Sequence, residues 1–113
     1  MELNAKFIEM LTSNVDNRTS NYNLAVDDFA KNKILNHASN INQMITLSKQ
    51  GVRKFALINN VCSSFVYTYD YDNFTYKLLV SDVYDAVCKF LKSQDIRYTS
   101  HIKDDKCLVE VMW

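Results

Sequence analysis

The stretch FVYTYDYDNFTYKLLV, residues 65 to 80, decides the fold. Aromatic residues alternate with Thr and Asp at a period of two, the signature of strands with one covered face. Placing Asp72 and Asn73 at the centre of a two-residue hairpin pairs Tyr71 with Phe74, Tyr69 with Tyr76, Tyr67 with Leu78 and Phe65 with Val80 on one face. The other face carries Asp70 with Thr75 and Thr68 with Lys77, as expected for a sheet that is wet on one side. Upstream, Phe55 and Leu57 alternate with Lys54 and extend the strand pattern.

Working outward, helical spacing takes over on both sides. Leu3, Phe7, Ile8, Met10 and Leu11 predict a helix over about residues 2 to 13. NVDNRTSN, residues 14 to 21, reads as a mobile loop because Asn, Asp, Ser and Thr favour turns and caps. From Asn23 to Gln50 the apolar positions Leu24, Phe29, Ile34, Leu35, Ala38, Ile41, Met44, Ile45 and Leu47 are helical in period, with Gly51 as a left-handed C-cap. The polar HASN at 37 to 40 is the expected place for a break. Downstream, Ser81 is the expected N-cap of a helix with Val83, Val87, Phe90 and Leu91 inside, ending near Gln94. A final hairpin, turning at Lys103 to Lys106, places Ile96, Tyr98 and Ile102 with Cys107, Val109, Val111 and Trp113 on one face.

The expected architecture is therefore α+β. N-terminal helices pack on one face of an antiparallel sheet, in the order α-α(-α)-β-β-β-α-β-β, within a single domain spanning 1–113. The composition, 48% hydrophobic and 23% charged in 113 residues, suits a domain that builds its core without disulfides or metal, and no cofactor is expected.

Composition also excludes. With Gly51 the single glycine, the chain has no phosphate-cradling loop, dinucleotide fingerprint or nucleophile elbow. Thirteen Lys and Arg balance thirteen Asp and Glu, which disfavours broad nucleic-acid binding. The amphipathic start, with Glu2, Lys6 and Glu9, is no signal peptide and no membrane anchor, so a cytoplasmic location is expected. Cys62, Cys88 and Cys107 are odd in number and widely spaced, and read as reduced buried thiols.

The reactive groups do not converge either. His37 sits among Asn and Ser without a second ligand and reads as an exposed or capping histidine. His101 lies near Asp104, Asp105 and Cys107, but the hairpin register turns Cys107 inward and His101 to the opposite face, so no Cys-His dyad is expected. Asp70, Asp72 and Asn73 fail as a calcium loop because Thr75 and Ser81 stand where glycine and a bidentate glutamate are needed. No catalytic or metal site is expected.

What remains is the tip of the ribbon. Tyr grips partners at low entropic cost, and interleaved Asp suits a basic or amide-rich surface. Tyr69, Asp70, Tyr71, Asp72 and Phe74 are therefore the candidate partner-binding residues, Tyr71, Asp72 and Phe74 being expected to stand exposed together. The inner tyrosines are expected in the core.

Twelve Asn, ten Lys against three Arg, and a last strand reading CLVEVMW give the chain its general character. In composition and layout it resembles small accessory proteins of phages and other AT-rich mobile elements, without a signature motif. That resemblance implies a host-directed role: a non-catalytic inhibitor that occludes a host or defence protein, working in the host cytoplasm. The alternatives are an oligomeric sponge that sequesters a small signalling ligand at a subunit interface, and a cryptic enzyme using His101.

Overall fold

The computed structural model describes residues 2–61 and 66–113. In chain order the elements are helix α1 (Ala5–Phe29), a π-helical segment (Ala30–Leu35), helix α2 (Ala38–Lys49) and strands β1 (Lys54–Val61), β2 (Val66–Tyr71) and β3 (Phe74–Leu79). Helix α3 (Val80–Ser93) and strands β4 (Tyr98–Lys103) and β5 (Lys106–Met112) complete the chain. The fold is α+β in the expected order, but the strands form two antiparallel sheets. One has the order β1-β5-β4 and the other is the β2-β3 hairpin alone.

The hairpin register follows the side-chain pattern: Tyr71 opposes Phe74, Tyr69 opposes Tyr76 and Tyr67 opposes Leu78. Asp72 and Asn73 both take positive φ, 49° and 68°, the backbone that a two-residue turn needs to match strand twist. Tyr76 and Leu78 are buried and Tyr67, Tyr69 and Tyr71 are half-buried, while Thr68, Asp70, Thr75 and Lys77 face solvent. The expected pair of Phe65 with Val80 lies outside the described residues on its Phe65 side, and Val80 begins α3.

The other sheet departs from simple alternation. A β-bulge between Ala56 and Ile58 flips parity in β1, so Leu57 and Ile58 are both buried. Central strand β5 buries Cys107, Val109 and Val111 as expected. Edge strand β4 does not share their cover: Ile102 is 56% exposed and Ile96 is exposed, with only Tyr98 half-buried. Tyr98 and Ile102 do share the face of Val111 and Cys107 in register, as expected, but at the sheet edge that face is left largely open to solvent.

Two further expectations change. Residues 14 to 21 are not a loop but part of one helix running from Ala5 to Phe29. The break falls at Asn36 and His37, as the polar HASN suggested, but after a π-helical turn in which Asn36 N–H reaches Lys31 carbonyl at 2.9 Å. Asn40 donates to the Ile34 carbonyl at 2.8 Å and satisfies one acceptor that the break frees. Helix α2 contributes no fully buried residue, so Ile41 and Ile45 are exposed instead of core.

The N-cap of α3 is Leu79, not Ser81, and it brings no capping side chain. Tyr22 of α1 does that work across the fold. Its hydroxyl accepts from Leu79 N–H at 3.1 Å and donates to Asp82 Oδ2 at 2.6 Å, so an orphan backbone donor at the helix start is satisfied from another element.

With one glycine, the chain meets its left-handed positions using Asp and Asn: Asp72, Asn73, Asp95, Asp104 and Asp105. Gly51 closes α2 with Val52 N–H on the Leu47 carbonyl (2.9 Å) and its own N–H on Ser48 (3.1 Å). Asp95, φ 57°, closes α3 in the same way through Ile96 to Leu91 and Asp95 to Lys92. Replacing Asp95 by Gly therefore removes a left-handed penalty of ~1–2 kcal/mol and adds a glycine entropy cost of ~0.5–1 kcal/mol. The expected outcome in urea unfolding is a net gain of about 0.5 kcal/mol for Asp95→Gly and a loss for Asp95→Val.

Candidate functional site

The hairpin tip is built from the helix outward. Phe29, buried at the end of α1, packs against the ring of Tyr67 at a centroid distance of 4.6 Å and edge-on to Tyr69 at 5.2 Å. The Tyr69 hydroxyl donates to Asp28 Oδ2, while Asp28 Oδ1 accepts from Asn32 at 3.1 Å. Asn60 of β1 donates to the Tyr67 hydroxyl and links the hairpin to the other sheet. The base of the ribbon is thereby anchored on both sides.

Beyond those anchors the candidate residues separate. Tyr69 is turned inward and spent on Asp28 and Phe29. Tyr71 is half-buried and packs against the core, so it does not stand free with the tip. Asp70 is exposed and accepts from Thr75 Oγ1 at 2.6 Å across the strands. Asp72 is exposed at the turn, and Phe74 is 60% exposed. The tip thus offers one aromatic ring flanked by two carboxylates, on a two-residue turn with no slack.

The structure also shows concavities that the periodicity of single elements could not reveal. A largely apolar cleft of about 410 Å³ lies between Leu35, Ile41, Met44, Phe90, Ile96 and Trp113, with Asn36 and Gln94 as its amide groups. Trp113, read from sequence as a core or lid residue, is half-buried at this cleft, and its backbone N–H donates to the Arg53 carbonyl at 2.9 Å. Four segments distant in sequence meet here, which no local pattern encodes. A second, open hollow of about 540 Å³ on the outer face of the three-stranded sheet carries His101, Lys103, Asp104, Lys106 and Glu110. It is a polar, wet surface.

His101 opposes Leu108, whereas Cys107 opposes Ile102 and is fully buried on the other face. Cys107 is moreover disulfide-bonded, so it has no thiolate to offer His101. This corrects the expectation of three reduced thiols. Cys88 is a free cysteine whose thiol is pushed up by burial, and Cys62 lies outside the described residues. His37 is exposed at the N-cap position of α2 and makes no side-chain capping bond. Among the described residues no group of three or more His, Cys, Asp or Glu side chains gathers to hold a metal, and no helix is long and apolar enough to cross a membrane. Comparison with protein-family models, curated proteins and solved structures finds no match to this chain.

The tyrosine hydroxyls that fasten the hairpin and α3 are all held above the ordinary value of 10.0. Burial is the first cause at Tyr22 and Tyr67, and the hydrogen bond to Asp28 is the first cause at Tyr69. The folded state therefore favours the neutral phenol. Its contribution is complete below pH 10 and falls as pH rises through the raised folded values, because ionised tyrosine must leave its carboxylate partner. Urea midpoints measured from pH 9 upward should decline above pH 10, and Tyr69→Phe, which removes one titrating group, should flatten the decline. An identical pH slope in that variant would contradict the assignment.

Proposed function

We propose that this chain is a binding protein that acts by occluding a surface of a protein partner, with the hairpin tip as the contact. The observation that carries the reading is the exposure of Phe74 on a turn whose base is fixed by Phe29, Tyr67, Tyr69 and Asp28. A preorganised aromatic ring loses little entropy on docking, and a central ring with a charged rim is the usual anatomy of a contact hot spot. Asp70 and Asp72 select a partner surface that is basic or rich in amides. Following the resemblance to phage accessory proteins, the partner would be a host or defence protein and the effect inhibition without catalysis. That resemblance also implies the cytoplasm, against which the Cys107 disulfide weighs, since disulfides persist in oxidising surroundings.

The apolar cleft favours a second reading, sequestration of a small ligand. Its volume falls in the range of small-molecule sites, and two amides among apolar walls would orient a planar, partly polar molecule.

Paired baits test the first reading. Wild type and a Phe74→Ala/Asp72→Lys double variant, matched for thermal stability, are used to capture proteins from a lysate of a low-GC bacterium. A protein retained by wild type should bind the double variant at least tenfold more weakly, as expected for loss of a hot-spot ring. Equal capture by both baits overturns the tip as the contact. Mass spectrometry of the purified protein under denaturing conditions reads the second, where a stoichiometric small molecule released from the chain is the expected result.

A further inference from the structure

Helix α1 runs beyond the body that holds its C-terminal end. Its buried residues are Ala25, Val26 and Phe29, at its C-terminal end, while from Ala5 to Ser20 every residue except half-buried Phe7 is exposed. Those sixteen residues make an arm ~24 Å long at 1.5 Å per residue. The molecule measures 67 × 30 × 24 Å, and its radius of gyration of 17.9 Å exceeds the ~13 Å of a compact chain this size.

Sequence gives the arm no means to stand alone. TSNVDNRTSN, residues 12 to 21, contains Arg18 as its one good helix former, and the others cost ~0.5 kcal/mol each relative to alanine. A free helix of this composition does not persist in water, and helices in proteins persist by packing an apolar face. The arm has such a face. At 100° per residue, Phe7, Ile8, Leu11 and Val15 fall on the line that Tyr22, Ala25, Val26 and Phe29 continue into the core. The stripe that builds the fold runs on, uncovered: Val15 is 64% exposed, and Ile8 and Leu11 are exposed as well.

We infer that the cover is a second copy of this chain, bound through an antiparallel, two-fold pairing of the two arms. An isologous contact needs a self-complementary face, and this one is. With the dyad at Leu11, each Phe7 meets the other copy's Val15, and Leu3, 79% exposed just ahead of the helix, arrives opposite Thr19. A groove of about 420 Å³ waits there, lined by Val15, Thr19, Lys77 and the exposed Leu79, with Arg18 and Asp82 at its rim. Leu3 enters the groove, and Glu2 comes beside Lys77 and Arg18 with opposite charge. Lys6, Glu9 and Asp16 lie on the far side of the helix, so no like charges oppose one another between the arms; at the groove Glu2 meets two cations and one carboxylate, Asp82, which already accepts from the Tyr22 hydroxyl.

Area argues for both contacts together. Two helices ~10 Å wide touching over ~24 Å hide on the order of 400 Å² each. Specific interfaces begin near ~1,200 Å² in total, so filling the groove at both ends supplies what arm pairing alone lacks.

Analytical ultracentrifugation of the intact chain at about 100 μM, a concentration at which micromolar dimers are filled, reads the result. Wild type should sediment at twice the chain mass of 13.2 kDa. Leu11→Glu should raise the dissociation constant about 100-fold, as expected for charge on a buried dyad position. Its far-UV circular dichroism should lose the arm's helix, while the near-UV signal of the aromatic core persists. Leu11→Cys should form a crosslinked dimer under mild oxidation, and Glu9→Cys, on the outer face, should not. A wild-type monomer, a dimer indifferent to Leu11→Glu, or equal crosslinking at positions 9 and 11 overturns the inference; a monomer would leave the arm to some other partner. None of these readouts involves the hairpin tip, so this proposal and the proposed function fail separately.

Discussion

The packing of Phe29 against Tyr67 and Tyr69 is the constraint on which the arrangement depends. Among the described residues the β2-β3 hairpin joins no larger sheet, and a two-stranded ribbon in water is at best marginal. It persists because α1 lends it an apolar face. The same helix supplies Asp28 to the Tyr69 hydroxyl and Tyr22 to the start of α3. One face of α1 therefore positions the hairpin, begins α3 and, through Ala25 and Val26, reaches the core that β5 and α3 share.

That economy shapes the candidate site. All seven tyrosines are held against the body, Tyr76 buried and the other six half-buried, with Arg18 stacked over the Tyr76 ring at 5.7 Å. The aromatic wealth of the ribbon is consequently mostly structural, and the part left for recognition narrows to Phe74 with Asp70 and Asp72. The rigidity of the tip comes from the same rings that are unavailable to a partner.

The sequence made some of this legible for identifiable reasons. The hairpin register could be read because a period of two leaves one solution once Asp72 and Asn73 take the turn, and a one-residue slip would turn every tyrosine to solvent. The inward row of β5 was legible on the same grounds. Residues 14 to 21 were misread because local propensity favours a loop there. Their helix continues the stripe that Ala25, Val26 and Phe29 bury in the core, and local propensity carries no information about that continuity. The bulge at Ala56 to Ile58 and the exposure of Ile102 follow from which strand lies at the edge. The apolar cleft depends on how Leu35, Ile41, Phe90 and Trp113 meet across the fold. Both are tertiary facts. Tyr69 to Phe74 lie at one end of the ribbon, but parity alone could not separate spent Tyr69 and Tyr71 from exposed Phe74.

Amide hydrogen exchange on Phe29→Ala reads whether α1 holds the ribbon in place. Truncating this buried ring removes the helix's hold on the ribbon and costs ~3–5 kcal/mol. The β2 and β3 amides should lose protection by local opening before those of β1 and β5. Uniform loss across both sheets, or a hairpin as protected as in wild type, would show that something other than Phe29 keeps the ribbon in place.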